Sequence, residues 1–345
     1  MSVPGVHLSH CQFSKEHKTM KAVVIEQETL VYRDIPDLVP RPGELLIRVR
    51  AAGLNRADLA QRRGAYPRPA TGGESAFNIA GLEAAGEVAG LGEGVSGFAV
   101  GDRVMAMCAG GYAEYTAIDH RLAVHVPARL DWAAAAAVPV AYMTEHDALI
   151  TNARLQAGES VLVHAASSGV GIAAMQIARF WGATPILGTS GTPEKLAALT
   201  VHGLDRGINY RTENFAESVL AATQGTGVDV IIDHVGGSHF HDNMRCMALR
   251  GRLVSVGRLG GRMGELDLDF LALRRLQLIG VTFRTRTLEE RIAVTQRCAT
   301  DLLPALADGQ LQPLVHRTFP LQDALAAQEY LASNAHIGKI VLTVS

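Results

Sequence analysis

The 345-residue chain has few cysteines, few aromatic residues and no excess of charge of either sign. Its four cysteines are Cys11, Cys108, Cys246 and Cys298. They form no Cys-x-x-Cys pair, which excludes a cysteine-built zinc lobe, and such scattered thiols make no disulfide framework. Lys plus Arg number 32 and Asp plus Glu 34, a formal net charge of −2. That balance carries no global electrostatic footprint for nucleic acid or an anionic membrane. No apolar run approaches the roughly 18 residues that a membrane span needs. Residues 1–19 carry the polar run Ser14–Lys18 and no apolar h-region, so no secretory signal is expected. The composition therefore reads as a soluble cytoplasmic protein with no membrane or nucleic-acid partner.

Glycine is abundant. The 35 glycines are about a tenth of the chain, against a usual share near 7%. At about 150 residues per domain the length predicts two domains. Residues 1–19 read as a flexible tail. After it come short β-branched runs with glycine punctuation: Lys21–Ile25, Leu45–Val49, Glu87–Ala89 and Arg103–Ala106. That texture predicts an all-β module. Beyond Gly158 apolar runs alternate with helical patterns. Strands are expected at Ser160–His164, Pro185–Leu187, Gly207–Asn209, Val228–Ile232, Arg252–Val256 and Leu278–Phe283. Helices are expected at Ile172–Trp181, Glu194–His202, Ala216–Ala222 and Phe240–Leu249. The alternation predicts an α/β, doubly wound parallel sheet of the Rossmann kind. A helix over Leu288–Asp308, interrupted near Pro304, a helix over Leu321–Ala332 and a strand over Gly338–Val344 complete the chain.

The turn Ala165-Ala166-Ser167-Ser168-Gly169-Val170-Gly171 follows a strand and opens a helix. In that context backbone amides and the helix dipole receive a pyrophosphate. Ala166 and Ser168 stand where the dinucleotide fingerprint has its first two glycines. About 20 residues on, an NAD site places an acid on the ribose hydroxyls. Here Thr189 and Ser190 stand instead, followed by Lys195, with Tyr210 and Arg211 at the end of the third strand. Hydroxyls and a cation suit a 2′-phosphate, so the expected cofactor is NADPH.

Gly81-Leu82-Glu83-x-x-Gly86-x-Val88 and Gly101-Asp102-Arg103-Val104 resemble the catalytic-domain signature of the medium-chain dehydrogenases/reductases. Gly158-Glu159-x-x-Leu162, Gly169-x-Gly171 and Gln176-x-x-Arg179 resemble the quinone oxidoreductase (zeta-crystallin) signature, with Ser168 in place of its glycine. Leu54-Asn55-Arg56-Ala57-Asp58-Leu59, Gln61 and Tyr66 look closest to the branch of the tumour-suppressor-inducible quinone oxidoreductase.

The resemblance spans Met20–Val344. It implies a GroES-like catalytic domain from 20–145 and 287–345, and a Rossmann NADPH-binding domain over 146–286. It also implies a homodimer, for which Leu278–Phe283 is the candidate edge. Zinc enzymes of the superfamily carry a cysteine at Asn55 and a histidine at Leu82, and their third ligand region falls at Ala141–Met143. No catalytic metal is therefore expected.

By the same resemblance Asn55, Tyr66 and Thr144 are the candidate catalytic residues, with Asn55 and Thr144 at the nicotinamide end. Ser168, Gly169 and Val170 fall at the pyrophosphate. Thr189, Ser190, Lys195 and Tyr210 fall at the adenosine phosphate. His234, Val256, Gly257, Phe283 and Lys339 line the cleft. Tyr66 aligns with a proton-donating tyrosine of related enoyl-thioester reductases. The expected reaction is hydride transfer from NADPH to a quinone or related conjugated acceptor. An enone or enoyl-thioester reductase and an NADPH-binding redox sensor are the alternatives. His146 and His164 read as structural hydrogen-bonders, and His234, His239 and His241 as a cluster without a metal.

Overall fold

Two apolar patterns divide the strands, and each answers to what covers it. In β3 the burial alternates: Leu45, Ile47 and Val49 point inward while Arg48 faces solvent. In the central strands of the other sheet every residue is buried, as in Val161–Val163 and Ile186–Ser190, because helices lie on both faces of a parallel sheet. The computed structural model describes residues 19–66 and 75–345. The proposed tail, apart from Thr19, lies outside these residues.

The chain opens with a hairpin, β1 (Thr19–Glu26) and β2 (Thr29–Pro36). Then follow β3 (Glu44–Gly53), α1 (Arg56–Arg62), β4 (Glu83–Leu91), β5 (Arg103–Met107), β6 (Tyr115–Asp119) and β7 (Ala123–His125). Two short helices, α2 (Trp132–Ala136) and α3 (Pro139–His146), lead to the second pattern. It comprises β8 (Val161–Val163), α4 (Gly169–Phe180), β9 (Ile186–Ser190), α5 (Pro193–Leu199), β10 (Arg206–Asn209) and α6 (Phe215–Ala222). It continues with β11 (Val228–Asp233), α7 (Gly237–Cys246), β12 (Met247–Ser255), α8 (Leu268–Leu273) and β13 (Gln277–Gly280). The last elements are α9 (Leu288–Asp308), β14 (Val315–Pro320), α10 (Ala324–Ala332) and β15 (Lys339–Thr343).

The six-stranded sheet has the order β10-β9-β8-β11-β12-β13, and every pair in it is parallel. Strand order reverses between β8 and β11, the place where open α/β sheets bind ligands. The seven-stranded sheet runs β14-β15-β3-β4-β5-β7, with β6 on β3. Its first two strands come from the end of the chain. One apolar cluster joins Ala51, Ala85 and Met105 of this sheet to Val161 and Val230 of the other, through residues of α2, α3 and α9.

Several expectations are corrected. The first third is not all-β, since α1, α2 and α3 lie in or next to it. The alanine run forms α2 because Asp131 caps it, its carboxylate accepting the Ala134 amide at 2.7 Å. Phe240–Leu249 is not one helix: α7 ends at Cys246, and Met247 already pairs with Val228 as the first residue of β12. Strand pairing overrides the local helical pattern there. The late strand stops at Gly280, short of Phe283, and α8 precedes it without having been expected. Pro304 does not interrupt α9. The bond it removes is outweighed by buried Leu302, Ala305 and Leu306 on the same face.

Gly338 joins the two patterns. Its amide donates to the Ser167 carbonyl at 2.8 Å, and it bridges Ser168 in parallel. Its φ is +81°, and an added Cβ would lie 2.5 Å from the Leu314 carbonyl oxygen. Gly338→Ala is expected to lower stability by about 1–3 kcal/mol, measured by urea unfolding.

Candidate functional site

The glycine-rich turn leaves β8 and enters α4 with Ser168 as N-cap. The Ser168 hydroxyl accepts the Gly171 amide at 3.1 Å. The first-turn amides of Gly169 and Val170 are left for an anion, with the positive end of the helix dipole behind them. Close packing requires small residues here. A Cβ on Gly171 would lie 2.5 Å from the Ala165 carbonyl, and one on Gly169 would strike the Lys339 stem. The cradle fits a dinucleotide pyrophosphate.

A chain of hydrogen bonds supports the turn from below. Thr189 Oγ1 lies 2.9 Å from His164 Nδ1, and His164 Nε2 lies 2.6 Å from Asn243 Oδ1. Asn243 Nδ2 donates to Asp233, whose other oxygen accepts the Val235 and Gly236 amides. Burial pushes His164 down to about 3, so its ring is neutral at ordinary pH. The Thr189 side chain is buried, with its hydroxyl turned to His164. Ser190 is also buried, its hydroxyl 3.0 Å from that of Ser167. Tyr210 is exposed and, with Arg211, stands over Gly191. Lys195 Nζ donates to the backbone carbonyls of Asn334 and His336. Burial, then Arg211 and Arg56, lowers its pKa.

The opposite wall is a buried polar centre. The Lys339 ammonium donates to Leu54 O at 2.7 Å, Asn55 Oδ1 at 2.7 Å and Glu83 Oε1 at 2.5 Å. Asn55 Nδ2 also donates to Glu83 Oε1, at 2.8 Å, and the other Glu83 oxygen accepts the Val140 amide. Asp58 accepts the Asn55 amide at 2.6 Å and the Tyr112 hydroxyl at 2.9 Å. Burial raises the Asp58 carboxyl to about 7. Among the described residues, no three His, Cys, Asp or Glu side chains are grouped to hold a metal ion. At the Asn55 and Glu83 donors the cation is an ammonium.

The other predicted residues lie around this centre. Tyr66 is half-buried, with the Arg284 guanidinium 5.3 Å from its ring centroid. Burial raises its phenol pKa, so the hydroxyl keeps its proton at neutral pH. Thr144 is half-buried on α3, and Phe283 lies under the Arg286 guanidinium. Val256 and Gly257 donate their amides to Asp233 O, beside buried His234. His146 pairs with Asp301 at 2.7 Å. His239 stacks on Phe215 and packs edge-on against His164. The sequence reading missed Asp58 and Glu145 as site residues. Glu145 could have been noticed as an acid two residues beyond the apolar stretch Val138–Met143.

Comparison with known proteins agrees with this architecture. Residues 41–128 match the model of the alcohol dehydrogenase GroES-like domain, and residues 169–298 the model described as zinc-binding dehydrogenase. Human quinone oxidoreductase is 33% identical over 338 residues, covering 94% of this chain and 98% of that one. A mycobacterial protein solved in complex with NADPH superposes with a TM-score of 0.83 at 29% identity, over 94% of this chain and 99% of that one. The enoyl reductase CurK superposes with a TM-score of 0.81 at 27% identity, over 95% and 100% of the two chains.

Two outcomes are expected from the buried centre. Lys339→Met, which leaves Glu83 without its cation, should cost about 3–5 kcal/mol, and Glu83→Gln in the same chain should restore part of it; urea unfolding measures both. Asp58 binds its proton more tightly folded than unfolded. It therefore lowers stability progressively as pH rises from about 4 to about 7. In Asp58→Asn the fall in Tm across that window should be shallower than in the parent.

Proposed function

The chain belongs to the quinone oxidoreductase family of medium-chain reductases, and on that premise we propose that it is an NADPH-dependent reductase of quinones or related conjugated acceptors. Human quinone oxidoreductase and the NADPH-bound mycobacterial structure support acceptor and cofactor. The observation that carries the reading is the join at Gly169. There a dinucleotide cradle meets a wall whose buried cation is Lys339.

NADPH supplies the hydride. The chain's residues bind, orient and shield. Gly169 and Val170 would receive the pyrophosphate on their amides, with the N-cap Ser168 shaping the turn, its own amide donated to the Ala165 carbonyl. Thr189, Ser190, Lys195, Tyr210 and Arg211 surround the 2′-phosphate end, where Thr189 and Ser190 stand at the end of β9 in place of the ribose-binding acid of an NAD site. Lys195 exchanges its two carbonyl partners for the phosphate. Asn55, Thr144, His234, Val256, Gly257 and Phe283 line the nicotinamide end, and the Lys339–Glu83 pair holds Asn55 in place. Catalysis proceeds without zinc, because Asn55 and Leu82 offer neither thiolate nor imidazole. Tyr66 stays protonated and hydrogen-bonds the reduced acceptor. A hydroquinone anion is stable enough to take its proton from water, so Tyr66 positions rather than protonates it.

The domains divide as 20–145 with 287–345, and 146–286. The exposed side chains of Leu268, Leu273 and Leu278 on α8 and β13 support a homodimer through that edge. Among the described residues no helix is long and apolar enough to cross a membrane. Cys246 and Cys298 are buried thiols outside any disulfide, which suits the reducing cytoplasm.

A second reading, an enone or enoyl-thioester reductase, is favoured by Tyr66 and by the likeness to CurK. An enolate is more basic than a hydroquinone anion and needs an acid beside it. The two readings separate in one assay: oxidation of NADPH and NADH against an ortho-quinone, an alkyl enone and crotonyl-CoA, with Tyr66→Phe in parallel. Quinone turnover with NADPH that survives Tyr66→Phe is expected. Turnover confined to the enone or thioester, and abolished in the variant, overturns it. Lys195→Ala should reduce the preference for NADPH over NADH about tenfold, equivalent to ~1.4 kcal/mol.

A further inference from the structure

Glu145 and His234 are the least explained polar residues of the described interior. Glu145 lies near the end of α3 and has no exposed surface, and neither of its carboxylate oxygens has a hydrogen-bond partner. His234 follows β11, is 4% exposed, and its Nε2 is likewise unpartnered. Nε2 lies 3.6 Å from Glu145 Oε1. Burial drives both groups toward neutrality, raising the Glu145 carboxyl well above its ordinary range and pushing His234 down to about 4.

A neutral carboxyl has one O–H to donate, and a neutral imidazole has one ring nitrogen to accept it. The groups are chemically complementary and a few tenths of an ångström beyond a good hydrogen bond. Left apart, each costs about 1–3 kcal/mol as a buried unsatisfied group. Their place in the fold is specific. His234 stands at the carboxyl end of β11, beside the β8/β11 strand reversal. The amides of Val256 and Gly257 close over the carbonyl of the preceding Asp233. Thr144 is the residue before Glu145.

We propose that the Glu145 carboxyl donates its proton to His234 Nε2, fixing the neutral tautomer that carries hydrogen on Nδ1, and that this Nδ1–H is a hydrogen-bond donor to the nicotinamide end of the bound cofactor. Glu145 is then a positioning residue that acts through His234. The second half rests on the cofactor reading above; the first half does not.

The test is the tautomer itself. Long-range ¹H–¹⁵N NMR of ¹⁵N-histidine-labelled protein, without ligand at pH 7, reports which nitrogen of His234 is protonated. Loss of the signal in His234→Gln assigns it. Hydrogen on Nδ1 alone is expected. Hydrogen on Nε2, or on both nitrogens, overturns the proposal. Glu145→Gln keeps an N–H donor and should keep the tautomer, with the NADPH Kd within about threefold of the parent. Glu145→Leu should release the tautomer and raise the Kd about tenfold. Equal effects of the two variants on Kd, or no effect of Glu145→Leu on either readout, overturn it. NADPH should shift the His234 resonances of the parent protein. NADPH that binds without shifting them overturns the donor role, whereas an absence of NADPH binding overturns the cofactor reading and leaves the tautomer result to stand by itself.

Discussion

The buried ammonium of Lys339 is the contact on which the rest of the architecture depends. It takes oxygens from Leu54, Asn55 and Glu83, nearly the length of the chain away in sequence, while its stem lies over Gly169. One side chain thus ties the C-terminal strand, the β3–α1 junction and β4 to the mouth of the parallel sheet. A buried ion pair does little for net stability, because desolvating both charges offsets most of their attraction. Its value is specificity: no other register of β15 delivers a cation to Glu83.

Around that pair much of the polar interior is uncharged. His164, His234 and Glu145 are all driven toward neutrality by burial. The line from Thr189 through His164 and Asn243 to Asp233 links the end of β9 to the end of β11 beneath the glycine-rich turn. Such a floor presents fixed dipoles, rather than mobile charge, to a dinucleotide whose own charge lies in its phosphates. The cations gather instead at the rim, as Arg56, Lys195 and Arg211. There Lys195 donates to the carbonyls of 334 and 336.

The parts of the site legible in the sequence are those whose signal is local. A strand, a small-residue turn and a helix read as a phosphate cradle because Gly169 and Gly171 are required by contacts within a few residues. The missing acid after β9 is equally local. The contact of the Thr189 hydroxyl with His164 was not legible, because strand alternation does not say which neighbour a hydroxyl meets and His164 lies 25 residues away. Pro304 was misread because a local helix breaker was weighed without the core beneath α9. Met247 was misread because its partner Val228 belongs to another strand.

The sequence by itself determined the alternation of strand and helix, the phosphate-binding turn and the resemblance that carries the family. Each is written in spacing and residue type over short stretches of chain. Only the tertiary structure decided that Lys339 neutralises Glu83, that Asp58 lies against Tyr112 and that Glu145 faces His234. The ionisation of a buried group depends on burial and on partners that folding brings from distant segments, and no local spacing encodes either.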